Sequence, residues 1–283
     1  CLLEYSLSAL AAFCKLFEYW NISFKLSRFS GSFSVYTNQC SQKAVEKEGI
    51  SPYNKIINSK RRIICNMQYQ LAIFDMDGTI LNTLQDLTNS LNAALAKSGY
   101  PQHTAEEVRF FVGNGIRKLI ERGVPAGTPV EQIDTVHHDF TAHYQVHCAD
   151  TTQPYDGIPE LLQTLRCAGC KTAVVSNKAD YAVQELCKQY FDGMFDFAVG
   201  EREQILKKPA PDSVNEVLQK LQIDRRQAVY IGDSDVDIQT AKNAAMDGIF
   251  VEWGFRSKEF LLEHGAVLTV STPNEIAHII LEK

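Results

Sequence analysis

The chain has 283 residues, 45% hydrophobic and 22% charged, the proportions of an ordinary globular protein with length for one large domain or two modest ones. Its formal charge of −6 is uneven: residues 1–66 carry nine Lys/Arg against four Asp/Glu (+5), and the remainder carries 19 against 30 (−11). An acidic main region argues against nucleic acid as a partner, and no apolar run approaches the ~20 residues of a membrane span, so no membrane association is expected.

Residues 1–66 contain no methionine, and Met67 is the first. The folded protein is expected to begin there, with 1–66 an extension outside it. Glu4, Lys15 and Glu18 interrupt Leu2–Trp20, which does not read as a targeting segment. Lys60-Arg61-Arg62 reads as solvated charge. The eight cysteines form no regular framework, so a reducing, cytoplasmic setting is expected. Cys167-Ala-Gly-Cys170 lacks a second CxxC or a His pair and reads as ordinary thiols beside a turn.

From Met67 the elements come in a clear order. Leu71-Ala-Ile-Phe74 is a short apolar run that predicts a strand buried on both faces, and it runs straight into Asp75-Met-Asp77-Gly78-Thr79. Leu84, Leu87, Leu91 and Leu95 mark one face of a helix ending near Gly99. Thr104 and Glu107 form a capping box for a second helix. A turn at Phe110–Gly115 leads to Ile116, Leu119 and Ile120, and then Ile133, Val136, Phe140 and Tyr144 line a longer helix. Residues 83–152 hold no good strand and are expected to be an inserted helical cap. The core is expected to comprise 67–82 and 153–283.

Strand–helix alternation resumes after the insert. Gly157-Ile-Pro159 opens a helix with proline in its first turn. Lys171–Val175 is a strand ending in Ser176-Asn177, and Phe197–Val199 is a shorter one. Lys208-Pro209-Ala-Pro211 precedes a helix marked by Val214, Val217, Leu218 and Leu221. Ala228–Ile231 is a strand ending in Gly232-Asp233-Ser234-Asp235, and Gly248–Val251 and Ala266–Val270 complete the sheet. The alternation predicts an α/β fold, a doubly wound parallel sheet with a Rossmann-like core.

Polar clusters fall at the ends of those strands. Asp75, Asp77, Asp233 and Asp237 converging on one crevice would repel strongly, and a hard divalent ion with oxygen ligands, Mg²⁺ above all, resolves that. Lys208, the Ser176 hydroxyl and the Asn177 amide suit phosphate oxygens. Acids, a metal and a phosphate clamp together suggest phosphoryl transfer.

Asp75-Met-Asp77-Gly78-Thr79, Ser176, Lys208-Pro209 and Gly232-Asp233-Ser234-x-x-Asp237 resemble, in order, the four motifs of the haloacid dehalogenase-like hydrolase superfamily. The match spans essentially all of 67–283, with the helical insert where that superfamily places a cap. Val112-Gly-Asn-Gly115, Pro154-Tyr-Asp-Gly157 and Trp253-Gly-Phe-Arg-Ser257 are similar to features of its phosphoglycolate phosphatase branch. The resemblance implies that Asp75 is a nucleophile forming an aspartyl-phosphate and that Asp77 is the general acid and then base. It implies a small phosphorylated metabolite as the partner, and Mg²⁺ held by the Asp75 carboxylate, the Asp77 backbone carbonyl and Asp233, with Asp237 as a support behind them. Lys208, Ser176 and Thr79 would hold the phosphoryl group, and Gly113-Asn114-Gly115 would face the site and select substrate. Two other classes stay open: a phosphomutase, and a non-catalytic phosphate-binding regulator. His143 and His147 share a helix face without an acidic partner at matching spacing and read as cap residues, and Arg117 and Lys118 read as surface charge.

Overall fold

A computed structural model describes the backbone of residues 24–29 and 32–37, and residues 67–282 in full. In the first part, strands β1 (Phe24–Phe29) and β2 (Ser32–Thr37) form an antiparallel hairpin that the sequence reading did not anticipate. The expectations for Leu2–Trp20, for Lys60-Arg61-Arg62 and for the rest of 1–66 lie outside the described residues.

The second part is built on strand β3 (Leu71–Phe74), whose four residues are all buried. Strands β6 (Lys171–Ala179), β7 (Phe197–Glu201), β8 (Ala228–Gly232), β9 (Asp247–Val251) and β10 (Thr269–Val270) join it in one sheet of order β10-β9-β8-β3-β6-β7. Every pairing is parallel, with Phe74 level with Val174 on one side and Ile231 on the other. The chain builds outward from β3 through β6 and β7, then crosses back to β8. The strand order therefore reverses at β3, and the crevice at its carboxyl end is where such sheets bind ligands.

Period-two alternation divides the core. Ala72, Phe74, Val174, Val229 and Ile231 face helices α5 (Ile158–Ala168), α6 (Asp180–Phe191) and α10 (Pro273–Leu281). Leu71, Ile73, Ala173, Val175 and Tyr230 face α7 (Asp212–Leu221), α8 (Asp235–Asn243) and α9 (Lys258–Glu263). The last strand is shorter than its apolar run: only Thr269–Val270 pair, and Ala266 packs into the core ahead of them. Strand β6 is longer than expected and carries its register shift between Val175 and Ala179.

Between two short antiparallel strands, β4 (Leu81–Asn82) and β5 (Gln153–Pro154), the chain forms four helices: α1 (Leu84–Lys97), α2 (Ala105–Phe111), α3 (Ile116–Gly123) and α4 (Val130–His147). The Thr104/Glu107 capping box is present at the start of α2. Leu87, Leu91, Leu95, Ile120, Val136 and Phe140 make a separate apolar core for this insert. His143 meets Ser90 and His147 meets Asp150, and no third ligand joins the two histidines among the described residues. The four described cysteines are free, and burial pushes the Cys170 thiol up to about 12.

The two chain crossings into the insert are tied together by Asp86. Its buried carboxylate accepts from the backbone N–H groups of Thr151 (3.0 Å) and Thr152 (2.9 Å) and from both hydroxyls. Burial pushes this carboxyl up, but those hydrogen bonds outweigh it and hold it below the ordinary aspartate value. Stability from this group is complete above the unfolded value of about 4 and is lost as pH falls through the lower folded value. Asp86→Ala is expected to cost about 2–3 kcal/mol at neutral pH, lowering Tm by about 5–10 °C. Thermal unfolding of both proteins should show the gap narrowing as pH drops from about 5 to about 3.

Candidate active site

The carboxyl ends of β3, β6 and β8 bring Asp75, Ser176 and Asp233 to one cavity, which the helical insert covers. Lys208, on the loop before α7, enters from below with only 4% of its surface exposed. Its ammonium lies 2.7 Å from Asp75 Oδ1, 2.8 Å from Asp237 Oδ1 and 3.1 Å from the Tyr230 hydroxyl. The peptide joining it to Pro209 is cis.

Asp237 is saturated. Its Oδ1 also accepts from Tyr230, and its Oδ2 accepts from the Asp233 and Ser234 N–H groups and the Ser234 hydroxyl. The contact from the Ser234 N–H is the return half of a capping box at the start of α8, so one side chain starts the helix and braces the site. Asp233 accepts from Thr79 Oγ1 at 3.3 Å and from the Phe255 N–H at 2.6 Å. Thr79, expected to hold phosphate, is fully buried and supports Asp233 with its hydroxyl in this structure.

Asp75, Asp233 and Asp237 place one oxygen each within 4.8 Å of one another. Asp75 and Asp237 share the Lys208 ammonium, and Asp75 Oδ1 takes no aligned hydrogen bond from a described group. Burial and the charge of Asp237 push the Asp75 carboxyl up to about 7 despite Lys208. Burial, Asp237 and Asp75 together push Asp233 well above the carboxylate range. Burial opposes the charge on Lys208, yet Asp237 and Asp75 outweigh it and keep the amine firmly protonated. An all-oxygen donor set with excess negative charge fits a hard divalent cation.

Asp77 lies apart from that group. Its Oδ1 accepts from Lys178 Nζ at 2.8 Å, and Lys178 also donates to the Tyr144 hydroxyl of α4 at 2.5 Å. Neither Lys178 nor Tyr144 was singled out for the site from sequence. The strand that carries Lys178 runs on to Ala179, beyond the apolar run that marks it in the sequence, and a lysine buried there must find partners.

The loop positions divide. Gly113 and Gly115 line the cavity, whereas Asn114 accepts from Arg122 on the insert's surface. Asn177 lines it too, but its amide N–H₂ is spent on the carbonyls of Gly113 and Lys208, making it a tether between insert and core. Arg117 pairs with Asp134 and Glu121, and Lys118 with Glu121, away from the cavity. On the opposite rim two arginines exchange contacts. Arg109 of α2 donates to the carbonyls of Phe255 and Gly254, and Arg256 donates to those of Arg109 and Val112. Gly254 is needed for this loop to pass. A Cβ there would lie 2.3 Å from Asp233 Cβ and 2.6 Å from the Gly78 carbonyl. Gly254→Ala is expected to cost about 1–3 kcal/mol in urea unfolding, with the m-value unchanged.

A parallel sheet reversing at β3, with acids at its carboxyl edge under a helical insert, defines a doubly wound α/β protein with a ligand crevice at that edge. The model of the haloacid dehalogenase-like hydrolases matches residues 72–251, and the chain belongs to that family. It is 31% identical over 191 residues to the phosphoglycolate phosphatase of Aquifex aeolicus, covering 66% of this chain and 86% of that protein. It is 29% identical to the N-acetylmuramic acid 6-phosphate phosphatase of Pseudomonas aeruginosa, covering 76% and 96%. A crystal structure from Lactobacillus delbrueckii subsp. bulgaricus, provisionally assigned as a phosphoglycolate phosphatase, superposes with a TM-score of 0.74 at 40% identity, covering 77% of this chain and all of that one.

Proposed function

We propose that the chain is an Mg²⁺-dependent phosphatase acting on small phosphomonoesters through an aspartyl-phosphate, with 2-phosphoglycolate as the leading substrate. One observation carries this reading: Asp75 and Asp77 stand beside different lysines, Asp75 beside Lys208, which it shares with Asp237, and Asp77 beside Lys178. Two carboxylates so close are given separate surroundings and therefore separate roles.

Asp75 attacks phosphorus, forming a P–O bond while the ester P–O bond breaks. Asp77 gives its proton to the departing alkoxide. It then takes a proton from the water that attacks the aspartyl-phosphate, releasing phosphate and restoring the Asp75 carboxylate. Lys208 and Ser176 stabilise the phosphoryl oxygens. Asp75, Asp233 and the Asp77 backbone carbonyl would hold Mg²⁺, which supplies charge neutralisation on the transferring group. Asp237 is fully occupied by its hydrogen bonds and keeps Asp233 and Lys208 in place.

The test is phosphate release by the full chain with Mg²⁺ from phosphoglycolate, sugar phosphates, nucleotides and pyrophosphate. The highest kcat/KM is expected with phosphoglycolate. Release from none of them would refute the phosphatase reading. Sugar-phosphate isomerisation that needs a bisphosphate activator would favour a mutase instead.

A further inference from the structure

The contact between Lys178, Asp77 and Tyr144 is not needed to bind a phosphoryl group, because Lys208 already stands beside Asp75 for that purpose. It is also costly to build. The Lys178 side chain is 2% exposed, while that of Asp77, its ionic partner, is 21% exposed and borders the cavity. A buried ion pair is weak evidence for stability, since desolvation offsets much of its attraction. Its geometry, by contrast, is specific. Lys178 holds Asp77 by Oδ1, and Oδ2 accepts no hydrogen bond among the described residues. The lysine is held in turn by a tyrosine of the insert, whose ring stacks on Phe140 at 5.4 Å and is 1% exposed.

We propose that Lys178 and Tyr144 are positioning residues for proton transfer: the insert's tyrosine seats the lysine, which pins one oxygen of Asp77 and leaves the other for the leaving group. This rests on the phosphatase reading above and deepens it. A general acid must lie within about 3 Å of the oxygen it protonates, and misplacement by about 1 Å costs about 10²-fold. A carboxylate at a cavity edge, free to rotate, does not hold that position. The pairing ties the acid's aim to the seating of α4.

The test compares an alkyl phosphate (phosphoglycolate) with p-nitrophenyl phosphate, whose phenolate leaves without a proton. The measured quantity is kcat/KM, which reports steps up to departure of the leaving group and so isolates the acid's role. In Lys178→Met, kcat/KM is expected to fall roughly 10²-fold for the alkyl ester and less than about 5-fold for the aryl ester. Tyr144→Phe keeps the packed ring and is expected to fall about 10-fold for the alkyl ester, with the aryl ester little changed. The double variant should be no worse than Lys178→Met, since both act through one chain of contacts.

Equal losses on the two esters, additive losses, or no loss would overturn the proposal. Circular dichroism checks folding. Should Lys178→Met fail to fold, the ester ratio of Tyr144→Phe decides alone. A wild-type chain inert on both esters refutes the phosphatase reading itself. An active wild type whose variants show an unchanged ester ratio refutes only the roles given to Lys178 and Tyr144.

Discussion

Asp75→Asn is expected to lower kcat/KM by about 10⁴-fold or more, in line with removal of other catalytic nucleophiles. The amide keeps the shape of the carboxylate but cannot attack phosphorus. Folding should survive, because the substitution removes a buried negative charge that has Asp237 and Asp233 for neighbours. Lys208 keeps its contacts to Asp237 and Tyr230. Steady-state rates with Mg²⁺ and a thermal melt on the same preparation check both halves. Residual turnover within 10²-fold of the wild type would remove Asp75 as the nucleophile.

Lys208→Met is expected to damage both stability and activity. Among the described residues Lys208 is the one cation paired with Asp75 and Asp237, and it is buried. Its loss leaves two buried carboxylates without a counter-charge, which costs about 3–5 kcal/mol when one partner of a buried pair is removed. The metal-free variant should therefore unfold at markedly lower urea, with an unchanged m-value. Double substitution with Asp237→Asn should recover part of that loss, because the buried charge removed is the one left unpaired. Activity should stay low in both if Lys208 serves the phosphoryl oxygens as proposed, since no described group replaces its ammonium beside Asp75.

The fold was legible wherever apolar runs met chemistry. Leu71–Phe74 and Ala228–Ile231 are short apolar runs that fit buried strands, and both are followed by carboxylates that the sheet order brings together. What escaped the sequence depended on contacts between distant segments. Lys178 follows Ser176-Asn177 as an unremarkable charge, and only Tyr144, 34 positions away, turns it into a buried hub. Tyr144 itself read correctly as a core residue of its helix, since its ring packs there, but the reach of its hydroxyl has no signature in helical spacing. Thr79 sat in the right motif, yet its hydroxyl turned to a carboxylate supplied 154 residues later. Trp253-Gly-Phe-Arg-Ser257 was noticed as a pattern. Its physical meaning, a backbone N–H on Asp233 and an arginine gripping α2, needed the structure.

The paired crossings at β4 and β5 have a mechanical consequence. Leu81 lies opposite Pro154 and Asn82 opposite Gln153, and Asp86 fastens the start of α1 to Thr151 and Thr152. The insert thus hangs from a single doubled stem, with its own apolar core keeping the four helices together. Gly113, Gly115 and Tyr144 therefore reach the cavity as parts of one packed body held at that stem. At the far rim the insert is joined to the core by a second set of contacts, those of Arg109 and Arg256 with each other's loops.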